Sequence, residues 1–291
     1  MLAIKIDIDT LKGYLEGLPA LLKILREHDI KASIFFSLGY DNSGKALRRI
    51  FRKGFISKML RTKAPSTYGL KTLFYGTLLK APEIVNSNPD LLKQALDEGH
   101  DCGVHAWDHV YWQDNLYKLT REQIFNELEK AVNLFEKISG VHPKSCAAPG
   151  WQVSPDSLSV QDDFNFDYCS DTRGKFPFMP LMNNIKFKTP QIPSTLPTLD
   201  EILGTNNLNA DNVNDYYIAN LKDGLNVHTI HTEMEGRSMS KVFSNFLDRC
   251  LNNGVKFSTL KDALTDKNNL PVNEVKMREI FGRAGKVAVQ I

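Results

Sequence analysis

The chain opens on an alternation of apolar and polar positions. Leu2-Ala3-Ile4-Lys5-Ile6-Asp7-Ile8-Asp9 repeats every second residue, predicting a first strand with Asp7 and Asp9 on one face. Leu15, Leu18, Leu22 and Leu25 then recur at helical spacing and predict an amphipathic helix over 14–30. An apolar run over 31–38 reads as a second strand, so strand, helix, strand opens a parallel arrangement. Further on, 91–98 reads as a short helix closed by Gly99, and 100–104 as a strand that delivers His105 to its end. Thr120-x-x-Gln123 is a capping-box pattern ahead of a helix that ends at Ser139-Gly140. Residues 145–151 read as a strand end turning into a loop. Five prolines in 176–200 (Pro177, Pro180, Pro190, Pro193, Pro197) predict extended edge segments and loops. Helices over 211–222 and 240–252 flank a strand over 226–232. The expected organisation is one α/β domain over 1–265, with 266–291 as an appended tail.

Composition changes this picture in one place. The 291 residues are 42% hydrophobic and 24% charged with net charge +2, ordinary for a globular protein with a sizeable core. From Asn42 to Pro82, however, there is no Asp or Glu, while Lys45, Arg48, Arg49, Arg52, Lys53, Lys58, Arg61, Lys63, Lys71 and Lys80 supply ten positive charges. Large apolar residues, among them Phe51, Phe55, Phe74, Leu78 and Leu79, are interleaved with them. That mixture describes a segment lying on an anionic membrane or meeting lipid phosphates, and Arg48, Arg49, Arg52, Lys53, Phe51 and Phe55 are its expected contacts. A nucleic-acid surface seldom needs so much aliphatic bulk. The four cysteines show no C-x-x-C pairing and read as reduced thiols. No apolar run is long enough for a transmembrane helix, and the first residues lack a signal-peptide pattern. The expected location is the cytoplasm, peripheral on the inner face of the inner membrane.

The candidate chemistry centres on His105-x-x-x-His109. On a helix this spacing puts both rings on one face, close enough to share a metal ion. Asp9, at the end of the first strand, is the expected third ligand of a divalent ion, which leaves an open position for water and substrate. Asp7, on the same strand face, is placed to act as general base, and His231 arrives from a distant strand as candidate general acid. Zinc suits this donor set best; manganese or cobalt also fit. Trp107, Tyr111 and Trp112 are candidates to stack on a sugar ring, Trp151 is a candidate to contact substrate or support the site, and Glu233 is candidate polar lining for the sugar. Asp171 is a candidate to orient the catalytic histidine or, equally, to cap a turn.

The paired aspartates, the Gly-His-x-x-Gly lead into H-x-x-x-H and the late apolar-x-His strand resemble the polysaccharide deacetylase (NodB-like) superfamily over residues 2–262. Asp7-Ile8-Asp9-Thr10, the basic insertion, His105-Ala106-Trp107-Asp108-His109, Ser170-Asp171-Thr172-Arg173-Gly174, Gln191-Ile192-Pro193-x-Thr195-Leu196-Pro197-Thr198 and Thr229-Ile230-His231-x-Glu233 narrow the resemblance. Within the superfamily they look like the deformylases of 4-deoxy-4-formamido-L-arabinose carried on undecaprenyl phosphate. The resemblance implies a distorted (β/α) barrel and metal-dependent deformylation in lipid A modification and resistance to cationic peptides. It also implies the first aspartate as base and the second as ligand, roles the two could exchange. One departure stands out. The superfamily's Arg-x-Pro-aromatic, whose arginine holds the catalytic aspartate, here reads Ala147-Ala148-Pro149-Gly150, and Arg173 is the expected substitute. Alternative functions are an N-acetyl-glycan deacetylase and an inactive membrane-bound scaffold.

Overall fold

The computed structural model describes residues 1–46, 71–267 and 269–291. A curled parallel sheet forms its centre. Its strands are β1 (Leu2–Ile8), β2 (Ser33–Ser37), β3 (Asp101–Ala106), β4 (Ser145–Cys146) and β5 (Tyr168–Cys169), later joined by β8 (Asn226–His231) and β9 (Phe257–Ser258). The order is β5-β4-β3-β2-β1-β8, with β9 against the start of β1. β1 is therefore central, and all seven of its residues are buried. In such a sheet the chemistry gathers at the carboxyl ends of the strands. The register β1–β8 pairs Asp7 with His231, bringing the first strand's aspartate beside a residue 224 positions later.

The first helix shows how local sequence sets this frame. A π turn over Gly13–Gly17 precedes α1 (Leu18–Glu27). The extra residue in the π turn rotates the apolar face by about one position. Tyr14, Leu18, Leu21, Leu22 and Leu25 are buried, whereas Leu15, expected on that face, is 40% exposed. Each fully buried leucine contributes about 1.5–3 kcal/mol. Gly17 is required by contact: a Cβ there would lie 2.1 Å from the Thr232 carbonyl. The N-terminal turn thus packs against the loop that follows β8, and both loops meet at the site.

The helices α2 (Asp90–Asp97), α3 (His109–Asn115), α4 (Arg121–Ser139) and α5 (Pro155–Asp163) follow. α4 starts on the expected Thr120–Gln123 capping box and stops at Gly140, whose φ of +74° lies in the left-handed region that glycine tolerates. α6 (Leu199–Ile202), α7 (Val213–Ala219), α8 (Ser240–Asn252) and α9 (Leu260–Ala263) complete the set described. The proline-rich connection supplies two short strands, β6 (Met179–Met182) and β7 (Ile185–Lys186).

Residues expected as an appended tail form a hairpin instead, β10 (Val272–Glu279) with β11 (Lys286–Gln290). β10 pairs in parallel with β6, giving a second sheet ordered β11-β10-β6-β7. The Arg173 amide donates to Ala288 O and the Gln290 amide to Arg173 O, both at 2.8 Å. The weak amphipathicity of this segment hid an edge pairing whose partner lies about a hundred residues upstream. Among the described residues no helix is long and apolar enough to cross a membrane.

Candidate metal centre and active site

Asp9 follows β1, His105 lies near the end of β3, and His109 is the first residue of α3. The H-x-x-x-H pair therefore spans a strand-to-helix corner and does not share one helix. The corner is built locally: Asp108 has extended φ and ψ (−125°, 106°) and its Oδ1 accepts the Tyr111 amide at 2.9 Å, capping α3. Asn42 Nδ2 donates to the other Asp108 oxygen at 2.6 Å. The corner turns His109 back toward the strand. The ring centroids of His105 and His109 are 5.2 Å apart.

Both Nε2 atoms face the same carboxylate oxygen. Asp9 Oδ1 is 3.3 Å from His105 Nε2 and 3.4 Å from His109 Nε2. The ligand atoms of all three residues lie within 4.8 Å of one another. Asp9 Oδ1 is buried and has no hydrogen-bond partner. His105 Nδ1 lies 2.6 Å from Ala147 O, and since a carbonyl only accepts, that nitrogen carries the proton. The Nε2 lone pair is then left pointing at Asp9. The His105 lone pair, His109 Nε2 and an orphaned carboxylate oxygen converging on one point fit a divalent cation, with the backbone carbonyl orienting the His105 imidazole from behind.

Burial opposes ionisation of Asp9, yet His109, His105 and His231 around it hold its carboxyl well below the usual carboxylate range. Burial likewise works against a charged His231, but Asp9, Asp200, Asp7 and Glu235 raise its pKa above the ordinary value. Its backbone amide donates to Glu235 Oε2 at 3.0 Å.

Other candidates stand differently from expectation. Asp171 is fully buried but does not hold His231. It accepts the Ala148 amide at 2.6 Å and Gln191 Nε2 at 2.9 Å, so it shapes the loop after β4. Glu233 is fully buried and does not line an open sugar site. Its Oε1 accepts the Thr10 hydroxyl at 2.7 Å and the amides of Thr10 and Asp9 at 2.9 and 3.3 Å, clamping the turn that carries Asp9. Burial, and then the Asp9 charge, push its carboxyl up to about 7. Trp151 is 2% exposed and packs against the guanidiniums of Arg173 and Arg283, 4.9 and 4.8 Å from its ring. Trp107 is half-buried against Tyr40, ring centroids 6.0 Å apart. Arg173 does not reach Asp7: it pairs with Glu201 at 3.1 Å and donates to Leu196 O at 2.9 Å. The cation beside Asp7 is Lys5, with Nζ 3.3 Å from Oδ2. Arg48, Arg49, Phe51, Arg52, Lys53 and Phe55 lie outside the described residues.

Lys5 was legible in principle. A lysine at the centre of an apolar strand is rare unless paired, and it repeats the period of Asp7 and Asp9. Arg283 and Glu201 carried no comparable signal, because only the fold brings them to Trp151.

Residues 66–169 match the family model described as polysaccharide deacetylase. A relative from Shewanella sediminis, named as the 4-deoxy-4-formamido-L-arabinose-phosphoundecaprenol deformylase ArnD, is 38% identical over 99% of this chain and 93% of its own length. A second protein of that name, from Wigglesworthia glossinidia brevipalpis, is 35% identical over 94% of this chain and 96% of its own. The chain belongs to the ArnD family of polysaccharide deacetylases. It is accordingly a hydrolase acting on an amide C–N bond. A crystal structure of a polysaccharide deacetylase from Mycobacterium smegmatis shares the fold at TM-score 0.68 and 15% identity, covering 96% of this chain and 94% of that one. ArnD-family membership covers nearly the whole chain, the C-terminal hairpin included.

Proposed function

We propose that this protein removes the formyl group from 4-deoxy-4-formamido-L-arabinose linked to undecaprenyl phosphate. The product is the free 4-amino sugar used in lipid A modification and polymyxin resistance. The reading is carried by the convergence of Asp9, His105 and His109 on one point, with Asp7 and His231 paired across β1 and β8 beside it. The near full-length identity to two proteins named for this reaction supplies the substrate.

Asp9, His105 and His109 would hold one divalent ion, zinc by preference, and when bound it supplies Lewis-acid polarisation of the formyl oxygen and acidifies water. Asp7 accepts the proton of the attacking water at its free Oδ1, which has no hydrogen-bond partner. His231 donates a proton to the departing sugar nitrogen, a task suited to a histidine whose proton is held by surrounding carboxylates. Trp107, half-buried against Tyr40, would contact the sugar. The basic, apolar stretch 42–82 would hold the anionic inner-membrane surface and the lipid phosphate, bringing the reaction to the cytoplasmic face.

The test is mass spectrometry of the formamido lipid after incubation with zinc-loaded enzyme, beside Asp9→Ala and His105→Ala. Loss of a formyl mass with wild type alone is expected. Turnover of N-acetyl sugars and none of the formamido lipid would overturn the substrate, and turnover by both variants would overturn the metal centre.

A further inference from the structure

We propose that Lys5 is the positioning residue for the Asp7 carboxylate, taking over from strand β1 the work that the superfamily pattern gives to an arginine after β4. The inference rests on the reading of Asp7 as general base. Lys5 and Asp7 are same-face neighbours on a strand held on both sides by β2 and β8. Their backbone separation is therefore fixed, and the ammonium meets Oδ2 at 3.3 Å. The rest of the ammonium is caged. Nζ donates to Ser170 O at 2.9 Å and lies 5.6 Å from the Phe35 ring centroid and 5.4 Å from that of Trp151. Lys5 is fully buried, so water offers it no competing partner.

The consequence for Asp7 is an asymmetric carboxylate. One oxygen is pinned by the cation, while Oδ1 is buried and has no hydrogen-bond partner. A base needs that arrangement: one oxygen held, the other with its lone pairs free. Arg173 cannot share the task, because its guanidinium is committed to Glu201 and Leu196 O. It acts at one remove by stacking on Trp151, which packs over Lys5. The loop that lost the arginine keeps a different role, since Ala147 O orients His105.

The experiment compares zinc-loaded wild type, Lys5→Met and Lys5→Arg in three readouts: metal content, steady-state kinetics on the formamido lipid, and crystal structures of the metal-loaded proteins. With the base free to wander, kcat of Lys5→Met should fall about 100-fold with KM and zinc stoichiometry nearly unchanged. Lys5→Arg should recover most of that loss, since a guanidinium can hold the same carboxylate. In the crystals Asp7 should leave its position in Lys5→Met and keep it in Lys5→Arg. A Lys5→Met enzyme with wild-type kcat, or with Asp7 unmoved, overturns the proposal. So does a wild-type crystal in which Nζ contacts Ser170 and not Asp7, an outcome readable even if Lys5→Met does not fold. Absence of turnover by wild type would sink the deformylase reading alone, and the position of Asp7 would still decide the case of Lys5.

Discussion

Two aspartates two residues apart, one on β1 and one just past its end, have different surroundings. Asp7 meets an ammonium, and Asp9 meets imidazole nitrogens. Removing Asp9 should therefore remove a metal ligand without touching the Lys5–Asp7 pair. Micromolar zinc should raise the melting temperature of wild type, because a ligand bound only to the folded state stabilises it by mass action. The shift should vanish in Asp9→Ala, and an equal shift in that variant would refute the ligand assignment. Two buried histidines outside the Asp9 cluster, His228 on β8 and His100 just before β3, give a second test. Burial pushes His228 down to about 3, with Arg173 and His231 adding to the effect, and burial first among its causes pushes His100 down to about 4. Unfolded, each titrates near about 6.5. Below that pH the unfolded chain takes up the proton and the folded one does not. Their contribution is thus complete above about 6.5 and is lost as pH falls toward the folded values. Glu233 and Glu235, pushed up to about 7 by burial, act with opposite sign over much of the same range, so only a difference between variants isolates a histidine. His228 sits among aromatic rings, Tyr217 at 4.4 Å and Phe246 at 5.4 Å, with Nδ1 unpartnered. His228→Phe should gain stability relative to wild type by up to roughly 1.4 kcal/mol per pH unit between pH 6.5 and 4.5. Urea midpoints at the two pH values measure it, and a pH-independent difference would show that the imidazole titrates folded as it does unfolded.

At the scale of elements, patterning worked where burial on one face is dictated by local sequence. The alternation of β1, the capping box of α4 and the C-terminal glycines were all readable because each is decided within a few residues. The grouping of Asp9, His105 and His109 was readable for a similar reason: all three stand at strand ends. Leu15 was misplaced because a π turn changes the helical period without any composition signal. Arg173 was misplaced, and which of its two readings Asp171 takes was undecided, because their partners, Glu201 and Gln191, are set by the tertiary path of the proline-rich connection. The hairpin β10–β11 was invisible because a strand added to a distant edge needs no strong pattern of its own. It nevertheless reaches the site's wall. Arg283, between its strands, packs on Trp151 and lies 3.5 Å from Asp200 and 3.7 Å from Glu201. In Arg283→Ala, Glu201 keeps Arg173, so the cost should approach the about 1–3 kcal/mol of an unsatisfied buried polar group rather than the larger penalty of an orphaned charge. Chemical denaturation measures this directly. A change below about 0.5 kcal/mol would mean that the hairpin merely covers the wall.

For the whole molecule, the decisive feature is where the basic stretch leaves and returns. Its first residues follow β2, at the same carboxyl end of the sheet as Asp9 and His105. The Asp41 amide donates to Pro82 O at 2.8 Å, closing the base of the excursion, and Asn42 is bonded to the Asp108 that caps His109's helix. Asp41 in turn accepts the Leu11 amide at 2.9 Å, two residues after Asp9. Both ends of the stretch are thus hydrogen-bonded to the loops that carry Asp9 and His109. Its described part exposes Phe74 by 40%, Leu78 by 81% and Leu79 by 44%, with Lys71 and Lys80 exposed beside them. Exposed aliphatic bulk between lysines suits an interface of acyl chains and anionic headgroups better than it suits water. Each cation near such a surface contributes about 1 kcal/mol, and the field decays over about 8 Å at physiological salt but about 3 Å at 1 M. Sedimentation with vesicles containing anionic lipid should therefore show binding at low salt that weakens steeply as salt is raised, and little binding to neutral vesicles. Leu78→Ser with Leu79→Ser should weaken it further, since each leucine withdrawn from water is worth about 1.5–3 kcal/mol. The soluble part of the reaction, measured on a short-chain formamido substrate, should be unchanged in that double variant, because neither leucine lies among the metal ligands or their partners. Salt-independent binding, or equal binding to neutral vesicles, would take the basic stretch out of membrane recognition.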